Sequence, residues 1–229
     1  DHKPFLEVIA PGVAVVVGQD SQADASILQY AVDNYGEVRL RGVFDLGAST
    51  IKVGKTVTIS GERSDKGPPK TRIYKRGWSF PFTRFDSVFE VNGKDADVII
   101  ENIHFSDFNC SCINGRLGRS LKIQNNLITL VTGYGRGWKC GEHGDVVTGI
   151  WLDAPHELQG DANFSGGVMI GGNTIDFAYP AADAFTTRSI PVHEEGEPDR
   201  QSELSRHEYF ISVGINVLNM SGKVTIENN

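Results

Sequence analysis

Leu121-Lys122-Ile123-Gln124-Asn125-Asn126 is the stretch that decides how this chain is read. Apolar and polar residues alternate, and an Asn pair closes the run. The pattern returns in Val57-Thr58-Ile59-Ser60-Gly61, Val98-Ile99-Ile100-Glu101-Asn102, Val168-Met169-Ile170-Gly171-Gly172-Asn173 and Val224-Thr225-Ile226-Glu227-Asn228-Asn229. Period-2 alternation marks a strand with one side in a core. The shortest step between copies is 23 residues, from Val98 to Leu121. A second short strand precedes the later copies: Phe89-Glu90-Val91, Ser111-Cys112-Ile113, Ile150-Trp151-Leu152 and Ile215-Asn216-Val217. A unit of this size cannot bury its own apolar side, but stacked copies can. Parallel pairing between coils ~4.8 Å apart would do so. The recurrent Asn would then hydrogen-bond its equivalents in the coils above and below, as in other side-chain ladders.

Ser21-Gln22-Ala23-Asp24 has the form of a helix capping box. Ile27, Leu28, Ala31 and Val32 follow at helical spacing, and Asn34-Tyr35-Gly36 reads as the stop, with Gly left-handed. With 26 glycines in 229 residues, above the usual share of about 7%, long helices are not expected elsewhere.

These residues resemble the right-handed parallel β-helix of the pectate-lyase-like superfamily. Ala23–Leu46 (ADASILQYAVDNYGEVRLRGVFDL) resembles its capping helix and first coil, and the likeness runs over about residues 20–229. The expected fold is therefore all-β: a right-handed parallel β-helix (solenoid) with an N-terminal capping helix. Residues 1–229 read as a single β-helix domain with insertions at about 130–148 and 178–209. The pattern stops inside a repeat, so the solenoid is read as incomplete, either truncated or continuing beyond Asn229. The competing reading is an antiparallel sandwich with hairpins at Asn92-Gly93 and Asn114-Gly115.

Charge and hydropathy exclude some functions. The chain has 22 Lys and Arg against 29 Asp and Glu, a formal −7, which makes it a poor partner for nucleic acid or anionic membranes. No apolar run reaches the ~18–20 residues of a membrane span. The first residues carry no signal-like apolar core.

On the expected register, outward residues form rows along one face. One row is read as Glu90, Cys112, Trp151 and Asn216, and its neighbour as Asn92, Asn114, Asp153 and Leu218. A Trp flanked by carboxylates and amides suits a sugar: the ring stacks on a pyranose and polar groups take hydroxyls. Glu90, Asn114, Arg116, Arg136 and Trp151 are therefore substrate-binding candidates; the alternative for Trp151 is packing beneath the long insertions. Lyases resembling this fold use a Lys or Arg base, often with calcium, and hydrolases resembling it use paired carboxylates. Lys139 or Arg136 would serve the first chemistry, and Asp145 with Asp153 the second. Cys110, Cys112, Cys140 and His143 offer a thiolate and imidazole set for zinc; a disulfide to Cys140 and plain thiols are the alternatives.

Two functions follow as expectations. One is a carbohydrate-active protein that binds and cleaves an extracellular polysaccharide, as lyase or hydrolase, at the cell surface or outside it. The other is a non-catalytic surface or assembly module forming homo-oligomers.

Overall fold

The computed structural model describes residues 5–75, 87–108, 111–131, 138–139, 145–153, 163–178, 211–218, 220 and 222–229. In chain order the elements are β1 (Leu6–Ala10), β2 (Val13–Gln19), α1 (Ala23–Asn34), β3 (Glu37–Asp45), β4 (Ile51–Val53), β5 (Val57–Gly61) and β6 (Arg72–Lys75). They continue with β7 (Ser87–Asn92), β8 (Asp97–Glu101), β9 (His104–Phe108), β10 (Ser111–Leu117), β11 (Ser120–Gln124), β12 (Leu127–Val131) and β13 (Trp138–Lys139). The last are β14 (Asp145–Asp153), β15 (Val168–Gly171), β16 (Thr174–Ala178), β17 (Ile211–Leu218) and β18 (Val224–Glu227).

The strands stack as three parallel faces. The first holds β5, β8, β11, β15 and β18 in that spatial order, and the second β6, β9, β12 and β16. The third holds β4, β7, β10, β14 and β17. β3 joins the first two faces: Glu37–Leu40 pairs with β5 and Val43–Asp45 with β6, and between them Gly42 turns the chain at φ +83°. Among the described residues only the β1–β2 and β13–β14 pairs are antiparallel. The chain is thus all-β, with mostly parallel sheets and one short helix, consistent with a parallel β-helix. The sandwich alternative fails because neither Asn-Gly pair makes a hairpin: Asn92-Gly93 leads from β7 on the third face to β8 on the first, and Asn114-Gly115 lies inside β10.

The first face has the register that the repeat predicts. Val57, Val98, Leu121, Val168 and Val224 stand in one row, and Ile59, Ile100, Ile123, Ile170 and Ile226 in another. Ile73, Phe105, Ile128 and Ile175 line the second face. Ile51, Phe89, Ile113, Ile150 and Ile215 line the third. Phe89 and Phe105 meet edge to face across the interior, with ring centroids 5.9 Å apart. Each such side chain, when fully buried, contributes about 1.5–3 kcal/mol. In the last described coil the inward positions are open: Ile226 is 49% and Val217 38% exposed.

The corner between the first two faces shows how sequence sets the coil. Asn102, Asn125, Gly172 and Asn228 hold left-handed φ values of 55–65° there, a conformation that Asn and Gly adopt at least cost. The next residue in the later coils is Asn126, Asn173 or Asn229. Each sends its amide to a main-chain carbonyl one coil back, on Ile100, Ile123 and Ile170 respectively, at 2.9–3.1 Å. Asn126 Nδ2 also donates to Asn173 Oδ1 at 3.0 Å, and Asn173 Nδ2 to Asn229 Oδ1 at 2.8 Å. At the start of the ladder the Ile103 amide donates to Asn126 Oδ1 at 3.0 Å. One rung earlier, the Thr71 hydroxyl donates to Leu40 O at 2.8 Å, doing with a hydroxyl what Asn does above it.

The helix buries Ile27, Leu28, Ala31 and Val32 in the same apolar cluster as the coils and packs against β2, β3 and β4. Two local expectations are corrected. The N-cap is Gln22, with no side-chain cap bond; instead the buried Asp24 carboxylate accepts the amides of Gln19, Ser21 and Asp45 at 2.9–3.1 Å. A charged acceptor with three donors ties the helix start to the end of β3, a stronger arrangement than one Ser hydroxyl. The helix stop does not use a left-handed Gly36: Tyr35 is already extended (φ −119°, ψ 149°), and Gly36 N–H goes to Gly12 O at 3.0 Å.

Candidate functional site

The outer side of the third face carries one continuous row: Lys52, Glu90, Asn114, Trp151 and Asn216. Their neighbours in sequence explain the direction. Phe89, Val91, Ile113, Ile150 and Leu152 are in the core, so alternation turns the intervening residues outward.

The expected row needs one correction. Asn114, not Cys112, stands between Glu90 and Trp151. The two Asn-Gly pairs look alike but lie in different places. Gly93 stacks on Gly54, where a Cβ would fall 2.1 Å from a backbone oxygen. Gly115 instead faces the core opposite Val91 and Leu152, where a Cβ would fall 2.7 Å from Leu152 Cδ2 and 2.9 Å from Leu121 Cδ2. Aligning the pairs by their Asn therefore shifts β10 by two residues. A bulge absorbs the difference: Gly115 pairs with Val91 and Leu117 with Asn92, leaving Arg116 as the extra residue. Bulges commonly re-aim a side chain. Here Arg116 Nη1 lies 3.5 Å from Glu90 Oε1, with only 17% and 15% of the two side chains exposed.

The row is not an open wall. Trp151 is 6% exposed and Asn114 0%. Asn114 has a second peculiarity: neither its Oδ1 nor its Nδ2 has a hydrogen-bond partner. Asp153 follows Trp151 by two on the same side of β14 and is also buried, at 2%. Since Gly115 pairs with Leu152, Asp153 and Arg116 occupy successive positions of adjacent strands. Glu90, Arg116 and Asp153 thus alternate in charge, with Lys52 exposed at the far end of the row.

The remaining candidates divide by position. Lys139 and Asp145 are brought together in backbone register as a pair of β13 and β14, and only their backbone is described. Arg136, Cys110, Cys140 and His143 lie outside the described residues. Cys112 is fully buried in the apolar cluster. Among the described residues no group of three His, Cys, Asp or Glu is placed to hold a metal ion, and no helix is long and apolar enough to cross a membrane. Lys52 was missed by the sequence reading. Its signal was present, since Ile51-Lys52-Val53 repeats the apolar-polar-apolar pattern of Phe89-Glu90-Val91, but three residues are a short sample.

Set against known proteins, the chain matches no family model, no curated protein and no solved structure.

Proposed function

We propose that this chain is a right-handed parallel β-helix of the pectate-lyase-like kind, capped by α1, and that it is a carbohydrate-active protein. On this reading the outer side of the third face binds an extracellular polysaccharide, and Asp153 is the acid–base group that cleaves it. The observation that carries the reading is the row Glu90–Asn114–Trp151–Asn216: polar and aromatic on the outside, backed by an unbroken apolar row. Sugars are recognised by such combinations of flat apolar surface and convergent hydrogen-bonding groups. A rigid parallel sheet spaces these groups at the ~4.8 Å coil repeat, which suits a polymer lying across several coils. A substrate of that size is met at the cell surface or outside the cell.

Glu90 and Asp153 stand two coils and two residues apart, with Cα atoms ~12 Å from each other. The expected pairing of Asp145 with Asp153 is corrected: they are the two ends of the nine-residue β14, about 26 Å apart at ~3.3 Å per residue, and Lys139, which pairs with Asp145, lies at the same far end.

The test is a panel of soluble polysaccharides, scored for binding by affinity electrophoresis and for cleavage by reducing ends and by the absorbance of unsaturated products. Binding weakened by Asn216→Ala and by Trp151→Phe, with turnover abolished by Asp153→Asn, supports the proposal. No binding to any member overturns it.

A further inference from the structure

We infer that the corner between the third and first faces is a second binding surface, a single file of basic side chains that takes the acid groups of a linear anionic polysaccharide. It is separate from the outer row of the third face and does not depend on it.

The file is written in the sequence as a recurring dipeptide. Gly54-Lys55, Gly93-Lys94, Gly118-Arg119 and Gly222-Lys223 each stand between a strand of the third face and one of the first. The glycines let the coils stack closely here. A Cβ on Gly93 would fall 2.1 Å from Gly54 O, and the Gly93 amide donates to Leu117 O at 2.9 Å. Gly118 bridges to Phe164, and a Cβ on Gly222 would fall 2.4 Å from Phe164 O. The residue after each glycine is thereby brought to the same edge of the molecule, with neighbouring coils ~4.8 Å apart. Lys94, Arg119 and Lys223 are exposed and Lys55 is half-buried. Counted from β4, the fourth coil turns through residues 164–167 without a charge. From the first of these coils to the fifth the file spans about 19 Å.

The charge of the file is not answered within the protein. Cations one coil apart lie inside a Debye length and repel one another, an arrangement that stacked strands disfavour. Arg119 forks onto Asp97, and that pair is solvent-exposed. Among the described residues no ion pair engages Lys55, Lys94 or Lys223. The four basic residues against Asp95 and Asp97 leave the corner a net charge of +2, in a chain that is −7 as a whole. A linear polymer with one acid group per sugar offers anions at a spacing comparable to the coil repeat, and at the three lysines it meets them without breaking an ion pair. Polynucleotide sites differ, because they interleave basic with aromatic side chains on which bases stack. This file has no such side chain, since Phe164 is fully buried. Carboxylate and sulfate groups share the chemistry that the file reads.

The test is isothermal titration of the full chain, at low and high salt, with polygalacturonate, dextran sulfate and single-stranded polythymidylate. The first two arms separate carboxylate from sulfate. The expected result is saturable, salt-sensitive binding to at least one acidic polysaccharide, tighter than to polythymidylate. Lys94→Glu should weaken it roughly ten-fold, and Lys94→Arg should retain it. Lys66→Glu makes the same change of charge on the exposed loop after β5 and should leave affinity within about two-fold. All three variants should keep the melting temperature, because these side chains are exposed. Binding to neither acidic polysaccharide, tighter binding to polythymidylate, or an equal loss in Lys66→Glu overturns the inference. Loss on Asn216→Ala or Trp151→Phe but not on Lys94→Glu puts the ligand on the third-face row; that overturns this inference and leaves the reading above standing. Loss on Lys94→Glu, with no turnover of any polysaccharide, supports this inference while the catalytic reading fails.

Discussion

Asn126 and Asn114 are both buried, both lie in stacked rows, and do opposite things. At the corner of the first two faces, Asn126 is bonded to the coil below through Ile100 O and to the coil above through Asn173. On the outer side of the third face, Asn114 has Glu90 and Trp151 for neighbours and no partner for its amide. A row of one residue type can close on itself, each amide serving the next. A row of unlike residues does not, and the Asn114 amide is left without a hydrogen-bond partner. The ladder ties neighbouring coils together through its side chains; the mixed row does not do so at Asn114.

Substitutions can break that contrast, and their effects should descend in order. Asn126→Leu should be the most damaging, at about 3 kcal/mol by urea denaturation, because it orphans the Ile103 amide and removes the bond to Ile100 O. The same change at Asn114 should cost nothing; equal losses at the two sites would erase the distinction. Gly115→Ala should cost about 1–3 kcal/mol, since the new methyl meets only the side-chain tips of Leu152 and Leu121, which can yield. Asn125→Ala should cost about 1–2 kcal/mol for placing a residue other than Asn or Gly at φ 56°, and Asn125→Gly much less. Arg119→Ala should be the mildest. Its fork on Asp97 is solvent-exposed, and pairs of that kind contribute about 0.2–1 kcal/mol. A thermal shift larger for Arg119→Ala than for Asn126→Leu would reverse the assignment of what holds the coils.

The sequence and the structure agree where one local pattern repeats. Val57, Val98, Leu121, Val168 and Val224 fall into a single row because each precedes the same alternation and corner, so the anchor is written into every copy. The Asn ladder was legible for the same reason. The third face was harder. Its strands end in different ways, and two Asn-Gly pairs with different work to do invited the wrong alignment. Only the space around Gly115, crowded by Leu152 and Leu121, shows that this glycine is a core residue. The ion pair of Glu90 with Arg116 was hidden too, because it depends on a bulge that no local pattern announces. Alternation sets the side of β14 on which Trp151 stands, but the expectation of a solvent-facing ring is not met: it is buried, and burial depends on the whole molecule rather than on strand periodicity.

The most direct test of the central claim is a fluorescence titration of a protein whose only tryptophan is Trp151, made by Trp78→Phe and Trp138→Phe. Trp151 is the next rung to Asn114, so a glycan seated on this row must alter its surroundings. A saturable change in Trp151 emission with a polysaccharide that the chain binds in affinity electrophoresis is the predicted result. Binding with a flat Trp151 signal would place the sugar elsewhere on the molecule and contradict the account.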